Sequence, residues 1–300
     1  MQLSGLCKAL LLGTTALALS WSANEATAGE GVWTSNGLIG KEVQALALNP
    51  KDPQTLYAAT FGLYKSTNGG ESWREIGRKK NIWVVWVLNI SSLVVDPLDT
   101  NVVYAASYKL FKSTDGGLNW SEWSEFPREV SDLEIDPHNP SVMYACGGQW
   151  FFKSSDSGLT WEPVRTFLSL DDLAIDPQNP KTVYAATYEG IYKTQNGGWD
   201  WDKVSDRNFD VITIDPKDSS IMYGSNWEGI FRSEDGGRTW EEMTQKGLGG
   251  LGAYAIAVGL LDDGSRIVYI GTSDGVFSII LREGISVEPL TWGKIKMMWR

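Results

Sequence analysis

The chain has 300 residues, with 37 acidic side chains against 26 basic ones and a net charge of −11. An acidic chain of this kind repels phosphate backbones, which argues against nonspecific nucleic-acid binding. Two cysteines and one histidine leave little material for disulfides, histidine–metal sites or catalytic triads, and no cofactor is expected.

Residues 1–28 stand apart from the fold. Lys8 is the only charge before the apolar run from Ala9 to Leu19, and Ala26-Thr27-Ala28 fits a small-x-small cleavage site. The pattern reads as a secretory signal peptide, with a retained anchor as the alternative. It predicts a periplasmic or extracellular chain. Losing Lys8 and Glu25 leaves the net charge unchanged, and Cys146 becomes the single cysteine.

A repeat begins after the leader. Its middle reads Leu56-Tyr57, Val103-Tyr104, Met143-Tyr144, Val183-Tyr184, Met222-Tyr223 and Val268-Tyr269, with tyrosine spacings of 47, 40, 40, 39 and 46. A period near 40 with several short strands per unit is the signature of a β-propeller. Each unit offers four strands. Strand A is apolar and ends at Asp-Pro, as at Asp136-Pro137, and strand B carries the tyrosine. Strand C ends in a Lys/Arg column, Lys65, Lys112, Lys153, Lys193 and Arg232, and strand D starts at a tryptophan.

Between C and D lies a recurring hairpin: Ser66–Trp73, Ser113–Trp120, Ser154–Trp161, Thr194–Trp201 and Ser233–Trp240. Its Asn68, Asp115, Asp156, Asn196 and Asp235 suit turn N–H groups, and the glycine two residues on suits φ > 0. Trp33 precedes Asn49 by 16 residues, as Trp120 precedes Asp136, so residues 31–37 read as a strand D with no A–C before it. The last unit, Ala253–Leu281, has A, B and C but no hairpin. The first strand therefore completes the last sheet. The expectation is an all-β, six-bladed monomeric propeller over residues 29–285, with a tail over 286–300.

The hairpin frame resembles the Asp-box (BNR) repeat, and the whole unit looks most like xyloglucanase-type and photosystem II assembly-factor-type propellers. That resemblance implies the propeller fold and two kinds of activity, glycoside hydrolysis or partner binding during assembly. Xyloglucanases of this type place the substrate cleft between two propellers, and one propeller does not make that cleft. Sialidases need three arginines and an Arg-Ile-Pro motif, which is missing here. Sortilin-type receptors need ten blades and a cysteine-rich tail, and this chain has neither.

Function is expected on the face that carries the B–C and D–A loops, because its loops vary while the other face repeats. There Phe61, Tyr108, Trp150, Tyr188 and Trp227 occupy corresponding places. Rings of this kind stack on sugars or peptide side chains, or cover the ends of the blade cores. An insertion, Arg78–Leu88, adds Arg78, Trp83 and Trp86; it and the tail are the two places for membrane contact. Asp132, Asp171, Asp172 and Asp210 gather carboxylates near the channel mouth. They suit acid–base glycoside hydrolysis, a hard cation such as Ca²⁺, or simply solvated loop caps. Glu134 is the odd charge in an otherwise apolar column. The leading expectation is a non-catalytic binder of a protein or glycan, and the alternative is a glycoside hydrolase.

Overall fold

The computed structural model describes residues 31–77, 89–167 and 169–282. Arg78, Trp83 and Trp86 of the insertion, the leader over 1–28 and the tail over 286–300 lie outside the described residues. The described chain is all-β, with 24 strands in six four-stranded antiparallel sheets. Blades 1 to 5 run in sequence order over 45–76, 92–125, 132–166, 172–205 and 211–242. The first strands of neighbouring blades pack side by side round the axis. No helix of the described residues is long and apolar enough to cross a membrane.

Blade 6 shows why the chain closes. Its first three strands span Ala255–Leu260, Arg266–Thr272 and Gly275–Leu281, and its fourth is β1, Thr34–Ser35. Thr34 faces Ser278 and Ser35 faces Phe277, antiparallel. Trp33 anchors this strand: it is 2% exposed, and its Nε1 donates to the Thr244 carbonyl at 2.8 Å. On the other side, Trp73 Nε1 of blade 1 donates to the Asn36 carbonyl at 2.7 Å. The joining strand is thus held from both neighbouring blades.

The five hairpins share one hydrogen-bond pattern. In blade 5, Ser233 Oγ donates to Asp235 Oδ1 at 2.9 Å and accepts from Gly237 N at 3.0 Å. Asp235 Oδ1 also accepts from Thr239 N at 2.9 Å, and Thr239 Oγ1 donates to Oδ2 at 2.6 Å. These bonds hold the Asp235 carboxyl down at about 2. Asn68, Asp115, Asp156 and Asn196 do the same work in the other four. The tryptophan folds back over its turn, with Trp120, Trp201 and Trp240 Nε1 donating to the Gly117, Gly198 and Gly237 carbonyls at 2.8, 2.8 and 2.9 Å. Gly117 has φ of 87°, and a Cβ there would come within 2.7 Å of Ile76 Cδ1. The backbone of the hairpin therefore rests directly on side chains of the neighbouring blade.

The Lys/Arg column is part of the frame. Lys65 Nζ donates to the Gly116 carbonyl of the next blade at 3.1 Å and lies 4.9 Å from the Tyr57 ring centre. Lys112, Lys153 and Lys193 sit over Tyr104, Tyr144 and Tyr184 in the same way. Cys146 is fully buried among apolar neighbours, where burial pushes its thiol well up. A reactive thiolate is not favoured there.

Two stability outcomes follow. Trp33→Ala removes a buried indole and its hydrogen bond from the closing strand and should cost about 3–5 kcal/mol in urea denaturation. An unchanged midpoint would exclude this mode of closure. Asp235→Ala should cost about 1–3 kcal/mol, because two backbone N–H groups lose a charged acceptor. Its stabilising contribution is present above the unfolded value near 4 and is lost as pH falls towards 2.

Candidate functional site

The two ends of the ring differ in chemistry. A–B turns and C–D hairpins occupy one face, and His138 lies there, its backbone N bonded to Asp136 Oδ1 at 2.8 Å. The other face carries the B–C hairpins. In these the first turn residue closes the loop. The Thr60 N–H bonds to the Gly62 carbonyl at 2.9 Å, Thr187 Oγ1 donates to the Gly190 carbonyl at 2.8 Å, and Asn226 Oδ1 accepts from Glu228 N at 2.9 Å. The next side chain is left at the tip. Phe61, Trp227 and Tyr188 are accordingly 86%, 84% and 76% exposed, and Tyr108 is about half exposed.

Trp150 departs from this set. The turn of blade 3 is Gly148–Gln149, so Trp150 falls inside strand C, Trp150–Ser154, opposite Gly147. It is half-buried, stacked 6.2 Å from Phe152 with the Arg128 guanidinium 4.9 Å above. The rim therefore has a gap at blade 3. Tyr254, half exposed at the start of blade 6, joins it. Counting from the strand-B tyrosine separates Trp150 from the others: it lies six residues after Tyr144, whereas Phe61, Tyr108, Tyr188 and Trp227 lie four after theirs.

The carboxylates fall into two tiers. Asp132 and Asp172 begin the innermost strands of blades 3 and 4 and line a central cavity of about 90 Å³, together with Glu134. Each aspartate also ties its blade to the next one. Asp132 Oδ1 accepts from Ser92 Oγ at 2.8 Å and its Oδ2 from Leu173 N at 3.2 Å. Asp172 Oδ2 accepts from Ile212 N at 2.7 Å. Ser92 Oγ takes the same place one blade earlier, accepting from Leu133 N at 3.3 Å. Three consecutive joints are thus bridged by polar side chains, whereas Val211, Ala255 and Ala45 hold the corresponding places at the other three.

Each of these three acids keeps some accessible surface, but that surface faces a narrow lumen rather than bulk water. Burial raises all three. Asp172 and Glu134 are pushed well up, by desolvation first and then by the charge of Asp132. Asp132 is raised less, because the Ser92 hydroxyl and backbone N–H groups stabilise its charge. Among the described residues no three His, Cys, Asp or Glu converge on a point where a metal ion would sit.

Asp171 and Asp210 form the outer tier, exposed at the mouth on adjacent blades. Both are raised by desolvation, and Asp171 also by the charge of Asp210. The opposite face holds exposed apolar residues that sequence reading passed over. Leu118, Leu159 and Trp199 occupy one hairpin position in three successive blades. Their only signal was an apolar residue between glycine and tryptophan.

The chain matches no protein-family profile and no curated protein sequence. Solved structures share its fold at low identity. The GH74 xyloglucanase from Xanthomonas campestris is 14% identical with a TM-score of 0.58, over 85% of this chain and 54% of that one. A YCF48 protein bound to D1 peptide is 12% identical with a TM-score of 0.57, over 85% and 96%. A gluconolactonase from Xanthomonas campestris is 10% identical with a TM-score of 0.62, over 83% and 89%. The chain spans between 36% and 54% of the GH74 enzymes it matches. At these identities the likeness establishes the β-propeller, and enzymes and a peptide-bound protein both share it.

Stability should depend on pH through the inner tier. The folded-state values of Asp132, Asp172 and Glu134 lie above the unfolded values near 4. Their contribution is therefore fully present below pH 4 and declines as pH climbs through the raised values. Asp172→Asn keeps an acceptor for Ile212 N–H and removes the charge, so it should flatten that decline and raise the urea midpoint at pH 7.5. A lowered midpoint would contradict this picture of the cavity.

Proposed function

We propose that this chain is an exported, non-catalytic binding propeller that engages a protein or glycan partner through the B–C and D–A loop face. The observation that carries this reading is the division of labour between aromatics and acids. Phe61, Tyr188 and Trp227 stand exposed on closed hairpins, with no covering element among the described residues. The inner aspartates meanwhile serve as acceptors for the neighbouring blade. Exposed rings on a rigid scaffold are costly to leave in water unless they meet something. Arg78, Trp83 and Trp86 belong to the same loop face by sequence position and extend the proposed surface.

A structure that shares the fold over most of its length is bound to a peptide, which supports the same reading. The shared hydrogen bonds of the five hairpins support their assignment as Asp boxes, a structural device common to enzymes and binders. Export rests on the leader pattern of residues 1–28, and a ring whose sheets are already complete supports the monomer reading.

One observation favours the hydrolase reading. Asp171 and Asp210 sit on adjacent blades with raised carboxyls, and a raised carboxyl is what a general acid needs. Incubating the purified chain with xyloglucan and other polysaccharides separates the two. No release of reducing ends is expected. Release abolished by Asp171→Asn would make the chain a hydrolase. The triple variant Phe61→Ala, Tyr188→Ala and Trp227→Ala should keep its thermal midpoint while losing retention on the glycan or envelope-protein column that holds the parent.

A further inference from the structure

The position just before the first strand of each blade is filled in order by Gln44, Ser91, Ser131, Asp171, Asp210 and Tyr254. In blades 2 and 3 this residue donates sideways into the ring. Ser91 Oγ bonds the Val130 carbonyl at 2.6 Å, and Ser131 Oγ bonds the Leu170 carbonyl at 3.5 Å. Each acceptor directly precedes the same position in the next blade. By the repeat, the corresponding carbonyls for Asp171 and Asp210 are those of Phe209 and Ala253. An ionised carboxylate has no proton to offer a carbonyl, so the bond that serine makes is closed to both aspartates. Asp171 accepts from Ser169 Oγ at 3.2 Å instead.

Neither carboxylate has an ion-pair partner among the described residues. Two of the cations nearby in sequence are engaged elsewhere, Arg207 with Glu228 and Lys203 with Asp206. The same sector carries three exposed rings. Tyr188 and Trp227 tip the hairpins of blades 4 and 5, and Tyr254 takes the ring position of blade 6. Two carboxylates without an ion-pair partner thus share this sector of the mouth with three exposed rings.

We propose that the mouth over blades 4–6 is a docking site for an extended cationic protein segment. A lysine or arginine side chain is received between Asp171 and Asp210, and its neighbours lie on Tyr188, Trp227 and Tyr254. The carboxylates supply charge-assisted hydrogen bonds, and the rings supply cation–π and stacking contacts. The net charge of −11 steers such a segment towards the protein. This inference rests on the binding reading above and names its chemistry.

The test is calorimetric titration of the full chain with a capped octapeptide of alternating Lys and Ala, its Glu–Ala counterpart, and a xyloglucan oligosaccharide. The Lys–Ala peptide should bind and the Glu–Ala peptide should not. Asp171→Asn with Asp210→Asn should weaken binding about tenfold or more with an unchanged thermal midpoint. Glu71→Gln with Asp262→Asn, which removes the same charge from the opposite face, should leave affinity within about twofold of the parent. Tyr188→Ala with Trp227→Ala should weaken binding without changing its salt dependence. Equal weakening by the control pair would overturn the site, as would failure of the Lys–Ala peptide to bind. If the oligosaccharide binds through Trp227 and the Lys–Ala peptide does not, the cationic assignment falls while the binding reading stands. Cleavage of the oligosaccharide removes both.

Discussion

In the second strand of every blade a buried tyrosine points sideways, and in the first it meets the hairpin of its neighbour directly. Tyr57 OH and Lys65 Nζ both donate to the Gly116 carbonyl, at 3.3 and 3.1 Å. The spacing recurs round the ring. A Cβ on Gly197 would stand 3.1 Å from Tyr144 OH, and one on Gly236 would stand 3.4 Å from Tyr184 OH. At the seam, a Cβ on Gly69 would stand 3.2 Å from Tyr269 OH. Blade 6 lacks a hairpin of its own yet still meets blade 1 in this way. One contact therefore accounts for the glycine pair, the tyrosine, the basic column and the forty-residue period. The lysine thus serves its own sheet, over the tyrosine ring, and its neighbour at once, as in other repeat architectures.

That division leaves the other end of the blades free to diverge. The inner wall is a mosaic of polar joints at Ser92, Asp132 and Asp172 and apolar ones at Val211, Ala255 and Ala45. Either chemistry fills the same joint. A carboxylate there satisfies a buried N–H group but carries a desolvation cost that an alanine does not. The polar joints cluster in consecutive blades, so the lumen has an acidic side and an apolar side. Any ligand entering from the mouth meets that asymmetry.

The sequence made the ring readable because its signals are local and repeated. Tyrosine spacing set the blades, and the distance from Trp33 to Asn49 located the closing strand before any contact was known. What escaped were features that depend on direction. Asp171 and Asp172 are adjacent in the chain and were grouped as mouth acids, but neighbouring residues on a strand face opposite ways. One reached the mouth and the other the inner wall. Trp150 looked equivalent to Trp227, but it follows the tyrosine of its blade by six residues rather than four and so falls in the strand, at the place of Gly229 in blade 5. Tyr254 carried no motif, since its exposure comes from its place at the end of the D–A loop before blade 6.

Joining the first strand of the ring to the last sheet sets the order of assembly. Thr34 meets Ser278 across 244 residues, so the earliest strand off the ribosome waits for the latest. A chain that stops after blade 5 has no partner for Thr34–Ser35 and no sheet to cover Trp33. It remains an open arc with unpaired strand edges, the kind of surface that aggregates or attracts proteases. The join therefore acts as a completeness check. A truncated product cannot pass for a shorter propeller.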